Sequence, residues 1–148
     1  NKDSLENDFS LSFLSSSAIP AGATITKIKW DFSTSSGGVY LDTVQGGSGL
    51  GSAWGFNPPS SNPLGSSSTQ TDAELDGGTS LEIEFTNFTK GDEFNFTIDT
   101  ESSAGNFDVQ GSEFDGTQIT VTVSDDGEET IYKGDFEADD DLSAKAEF

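Results

Sequence analysis

Asp99-x-Glu101, followed by Asn106 and Asp108, sets carboxylate and amide oxygens at the end of an alternating apolar run. Calcium takes about six to eight such hard oxygens, with backbone carbonyls completing the shell. Asp42 closes another short apolar run and can converge on the same place. Asp42, Asp99, Glu101, Asn106 and Asp108 are therefore the candidate calcium ligands. The alternative is that these acids cap strands and keep sheet edges soluble. Asp125-Asp126 and Asp139-Asp140-Asp141 are second choices, readable as solvated turns, and no EF-hand spacing occurs. With His 0 and Cys 0, transition metals lack their usual soft ligands.

Trp54 and Phe56, with Asn57 beside them, carry a second chemistry. A flat aromatic complements the apolar face of a sugar ring while a neighbouring amide bonds its hydroxyls. The competing role is a plug, in which aromatics from a Gly- and Ser-rich loop fold back over an open end of the core. Trp30, on an alternating strand beside Ile28, reads as core. Nucleophilic catalysis is poorly supplied: there is no His base, no Cys, and no serine in a Gly-x-Ser-x-Gly elbow. Carboxylate pairs are too numerous to single out a glycosidase pair. No enzymatic activity is expected.

The elements that must position these groups are strands. Phe9, Leu11 and Phe13 alternate with polar residues, and Ile28, Trp30 and Phe32 share one parity while Ile25 falls on the other. That break predicts a bulge or two-sided burial near Lys27. Val39 to Leu41 forms a short strand, and residues 43 to 69 form a long Gly/Ser/Pro-rich loop. A weak edge strand is expected from Thr69 to Leu75. Leu81, Ile83 and Phe85, then Phe94, Phe96 and Ile98, read as a hairpin about Lys90-Gly91-Asp92. Ile119, Val121 and Val123 alternate up to the turn Asp125-Asp126-Gly127-Glu128, Thr130 to Phe136 returns, and Leu142, Ala144, Ala146 and Phe148 share one parity. No sustained period of 3.6 occurs, so helices should be short or absent. These spacings predict an all-β chain, an antiparallel β-sandwich of jelly-roll or immunoglobulin-like type with about nine strands, over a single domain spanning residues 1–148.

Composition narrows the partners. Six Lys and Arg against 27 Asp and Glu give 148 residues a formal charge of -21. Such a chain repels phosphate backbones and anionic lipid, so nucleic acid and membrane insertion are not expected. Opening on Asn-Lys-Asp without Met, it reads as an exported mature product or an excised module, at the cell surface or secreted. Asn87-Phe88-Thr89 and Asn95-Phe96-Thr97 are N-glycosylation sequons, acceptors in an exported protein or chance triplets.

Two longer phrases carry a resemblance. Phe85-x-x-Phe88-x-x-Gly91-Asp92-x-Phe94-x-Phe96-x-x-Asp99-x-Glu101, followed by Gly116, Ile119, Val121, Val123, Asp126 and Gly127, resembles a β-sandwich module that recurs in large secreted and surface proteins of bacteria and archaea. The resemblance runs from Ile25 to Phe136. It implies a sandwich fold and export, and an association with adhesion and carbohydrate-binding modules that is analogy rather than chemistry. The expectation is a non-catalytic structural or adhesive surface subunit that pairs with other copies of itself. Its assembly strand would be Leu142 to Phe148, through Leu142, Ala144, Ala146 and Phe148, or else Asp8 to Leu14. The alternative is a calcium-dependent carbohydrate-binding module that takes extracellular polysaccharide.

Overall fold

The computed structural model describes residues 7–12, 19–42, 54–56, 64–103, 109, 111–140 and 143–145. The chain is all-β, with antiparallel ladders and little helix. A four-stranded sheet runs in the order β5 (Ser80–Thr89), β2 (Thr24–Asp31), β8 (Gln118–Asp125), β9 (Glu128–Asp135). A three-stranded sheet runs β1 (Asn7–Ser12), β6 (Glu93–Ile98), β4 (Trp54–Phe56). Two short ladders complete the set: β3 (Val39–Leu41) with β7 (Thr100–Ser102), and β10 (Glu137–Asp140) with β11 (Ser143–Lys145). Eleven strands are thus assigned among the described residues. The excess over the number read from alternation lies in three-residue ladders such as β4 and β7, too short to show a period.

The parity break in β2 has a definite cause. Register shifts between Ile25 and Lys27 on both sides of the strand, where Ile25 faces Phe88 and Val123 while Lys27 faces Glu84 and Thr122. The bulge at Thr26 moves Ile25 onto the same face as Ile28, Trp30 and Phe32, and all four are buried. β5 changes parity opposite it, so Leu81, Ile83 and Phe85 are followed inward by Phe88.

Two expectations are corrected. The turn at Lys90-Gly91-Asp92 does not make a hairpin, because β5 and β6 belong to different sheets. β5 pairs with β2 on one side, and its other side is met at an isolated bridge, where Ser67 exchanges backbone bonds of 2.9 and 2.7 Å with Glu84. The chain therefore turns a corner there, with Gly91 at φ +96° and the Asp92 carboxylate accepting from the Thr89 N–H and hydroxyl. Nor is Thr69 to Leu75 an edge strand. Asp72–Leu75 is one helical turn, α1, with the Glu74 carboxylate accepting from the Thr71 N–H at 2.7 Å and the Thr71 hydroxyl at 2.8 Å. Thr71-x-x-Glu74 is a capping-box spacing, and here it prevails over weak strand alternation.

The buried apolar side chains form one cluster. Its centre is a chain of rings linking the four-stranded to the three-stranded sheet. Trp30 meets Phe96 at 5.1 Å between ring centroids, Phe96 stacks on Phe94 at 4.7 Å, and Phe94 meets Phe85 edge-on at 4.9 Å. Leu64 and Leu75 are buried too, so part of the long loop and the single helical turn cover the core. The Trp30 indole N–H, fully enclosed, has no hydrogen-bond partner among the described residues. Two substitutions separate its packing from its polarity. Trp30→Ala should cost about 3–5 kcal/mol, the usual loss for a large buried aromatic. Trp30→Phe keeps ring contact while removing an unsatisfied donor, and should lie within about 1 kcal/mol of the parent in urea unfolding.

Candidate functional site

Three of the acidic residues singled out from the sequence lie where β3 ends and β7 begins. Tyr40 pairs with Glu101 and Leu41 with Thr100, and the ladder closes with the Asp42 N–H donating to the Asp99 carbonyl at 3.1 Å. Asp42, Asp99 and Glu101 thus lie within three consecutive rungs, all half-buried. Antiparallel pairing sets Asp42, which follows β3, beside Asp99, which precedes β7, while Glu101 lies inside β7 two residues on. β3 is held from its other side as well, since the Leu41 N–H donates to Gly78 at 2.8 Å and Gly77 donates back to Leu41. Among the described residues no three carboxylates gather closely enough to hold a metal. Asn106 and Asp108 lie outside the described residues, so the calcium set is represented by Asp42, Asp99 and Glu101 alone.

Within this corner Glu101 has a definite bond. The Tyr40 hydroxyl donates to its Oε2 at 2.5 Å. That bond to a carboxylate, with burial and the charges of Glu101 and Asp42, pushes the Tyr40 phenol above its ordinary value. A cation placed there would reverse the sign of the local field.

Trp54 and Phe56 lie on β4, opposite Ile98 and Phe96 of β6, so this part of the loop extends the three-stranded sheet. Asn57 is outside the described residues. The sequons fall on strands: Asn87 on β5 and Asn95 on β6, opposite Ser10 of β1, both exposed. Of the assembly strand, only Ala144 among the four marked positions is described. It sits on β11 opposite Ala138 of β10, while Leu142, Ala146 and Phe148 lie outside the described residues. In the alternative assembly segment, β1 pairs with β6 from Asn7 with Ile98 to Ser12 with Glu93.

One surface was not singled out from the sequence: the outer face of the four-stranded sheet. Register places Glu84, Lys27, Thr122 and Ile131 in one row across it, and Glu82, Lys29, Thr120 and Lys133 in the next. Lys27 reaches Glu82 at 3.1 Å and Glu84 at 3.8 Å. Its ammonium is held above the ordinary value, chiefly by the bond to Glu82, with Glu84 and Glu129 adding to it. Such half-exposed pairs contribute only about 0–1 kcal/mol each. Their importance lies in charge balance, since Lys27, Lys29 and Lys133 are half of the chain's six cations. Beside them an open cleft of about 500 Å³ is lined by Lys27, Gly65, Glu84, Thr122, Glu129 and Ile131. The signal was present in the alternation of β2 and β9, but the polar positions of a strand name their neighbours only once strand order is known.

Comparison with family models, with curated proteins and with solved structures finds no match.

The Tyr40–Glu101 bond can be read directly by titration. In a Tyr132→Phe background, absorbance of the remaining tyrosine should rise with a midpoint above the ordinary value of about 10, and Glu101→Gln should bring it back toward that value. Because the folded pKa is raised, the stabilisation is complete below pH about 10 and is lost as pH rises through the folded value. Equal midpoints in the two proteins would show that the bond is absent in solution.

Proposed function

We propose that the chain is a non-catalytic structural or adhesive subunit of an extracellular surface, assembling by strand addition at the β10–β11 end. The observation that supports this most is that the ladder is hydrogen-bonded to no third strand among the described residues, although it packs against the 3-10 turn Gly111–Phe114. Among the described residues β11 pairs only with β10, and the pair joins no larger sheet. A two-stranded ladder is marginal in water by itself, and another strand along its open edge would add backbone bonds at little cost in side-chain fit. Its register pairs Glu137 with Lys145, Ala138 with Ala144 and Asp140 with Ser143. Contacts of the aromatic column favour the finer architecture, two sheets facing one another as a sandwich of jelly-roll or immunoglobulin-like type. Addition of this kind is head to tail and yields a filament or array unless the rotation closes it.

Calcium fits this reading as an assembly ion. With -21 per copy, neighbours repel, and a divalent cation at Asp42, Asp99 and Glu101, completed by Asn106 and Asp108, would relieve that repulsion. The second reading, a calcium-dependent carbohydrate-binding module, draws on the position of Trp54 and Phe56 on a sheet-edge strand.

Two measurements test these assignments. Removing Leu142 to Phe148 should leave folded single copies where the full chain forms larger species by light scattering; unfolding on removal would mean that the strand completes its own domain. Calcium at about 100 times its dissociation constant should stabilise the chelated protein by about 2.7 kcal/mol, and Asp99→Ala should remove the effect. A melting curve indifferent to calcium would eliminate the ion.

A further inference from the structure

Edge strands of soluble sheets are normally arranged so that they do not pair with themselves. In an antiparallel self-pairing centred on residue i, position i−2 meets i+2 of the other copy, so like charges at those positions keep two edges apart. β9 is an edge: among the described residues it pairs only with β8. It carries Ile131, 60% exposed and the one large apolar side chain so exposed among the described residues. Two residues before it is Glu129; two after it is Lys133. The charges flanking the exposed apolar residue are therefore opposite.

Backbone geometry selects the same register. Asp126 and Gly127 both have positive φ, 49° and 87°, which makes the β8–β9 connection a two-residue type I′ turn closed by Asp125 and Glu128. Hydrogen-bonded and non-hydrogen-bonded pairs alternate from that closure. Glu128, Thr130 and Tyr132 therefore direct their backbone groups at β8, whereas those of Glu129, Ile131 and Lys133 point to the open side. Two copies related by a two-fold axis through Ile131 bring these outward groups together: Ile131 opposite Ile131, and Glu129 opposite Lys133 on both sides of the axis. Moving the axis to Glu129 or Lys133 sets like charges opposite one another, and moving it to Thr130 or Tyr132 sets Ile131 against a charged residue. The sheet face that would become continuous is also the one on which Lys27, Lys29 and Lys133 offset Glu82, Glu84 and Glu129, with Asp31 and Asp135 in the row beyond. For a chain of -21, it is a surface on which two copies can approach with little repulsion.

We propose that the outer edge of β9 pairs with the same edge of a second copy, across a two-fold axis at Ile131, joining two four-stranded sheets into one continuous sheet. This contact is isologous and closes on two copies, so it is independent of strand addition at β10–β11.

The test uses the full chain at about 0.15 M ionic strength, with folding of each variant checked by circular dichroism. Sedimentation should show a reversible dimer. Lys133→Glu converts two attractions into two repulsions and should weaken dimerisation about tenfold. Glu129→Lys combined with Lys133→Glu restores opposite charges and should return it to near the parent value. The chain has no cysteine, so single cysteines report the register. Ile131→Cys should form a disulfide-linked dimer under oxidised glutathione, because an antiparallel hydrogen-bonded pair holds its Cα atoms about 5.5 Å apart. Glu129→Cys and Lys133→Cys, away from the axis, should not. A chain monomeric at millimolar concentration, equal dissociation constants for the parent and Lys133→Glu, or equal cross-linking at all three positions would overturn the proposal; the first result would leave the edge to a strand from a different protein.

Discussion

The structure depends on the contact between Trp30 and Phe96. Trp30 lies near the end of β2, with β5 on one side and β8 on the other, and its ring meets that of Phe96 at the centre of β6. Phe96 carries the contact on to Phe94 and Phe85, so a column of rings joins the two larger sheets within a core that also holds aliphatic side chains of both. Aromatics bury much area per residue and gain further from edge-on and offset geometry. A chain only 31% hydrophobic needs that economy. The bulge at Thr26 belongs to the same constraint, because without it Ile25 would face solvent while Ile28 and Trp30 face inward.

Much of this was legible wherever a strand was long and one face buried. Ile28, Trp30, Ile83, Val121 and Ile119 could be assigned to a core from alternation alone, and the bulge announced itself as a parity error at Ile25. Pairing was less accessible. The turn at Lys90-Gly91-Asp92 has hairpin chemistry, yet the next strand joins another sheet, between β1 and β4, and nothing in the turn itself marks that. Phe114, buried against Phe32 at 6.1 Å, stands on a short 3-10 turn that no periodicity marks. Of the candidate site, the position of Asp42 and of Asp99 at a strand end followed from the apolar runs that they close. The bond from Tyr40 to Glu101 did not, because it requires knowing that β3 and β7 are partners.

Charge is distributed as unevenly as apolarity. Carboxylates crowd the turns and strand ends, while half of the cations share one sheet face with three glutamates. The Lys27 pairs with Glu82 and Glu84 add little to stability at their degree of exposure. They act instead on the long-range field: three lysines against five carboxylates leave that face far less acidic than a molecule whose net charge of -21 sets its copies against one another. The mixed-charge face thus answers that repulsion with covalently attached cations.

The position of β2 also sets the order in which the chain can become native. Its neighbours arrive from far along the sequence: the Thr26 hydroxyl bonds to the carbonyl of Thr122, 96 residues away. By contrast, β8 and β9 join through a two-residue turn and can meet as soon as both are made. During synthesis at about 5–20 residues per second, β2 waits several seconds with Trp30 and its hydrogen-bonding edge uncovered until β8 emerges. Non-local pairing of this kind makes folding slow relative to stability. The dense carboxylates along the nascent chain then act as a kinetic safeguard, keeping unfinished copies apart until the late strands close over the aromatic core.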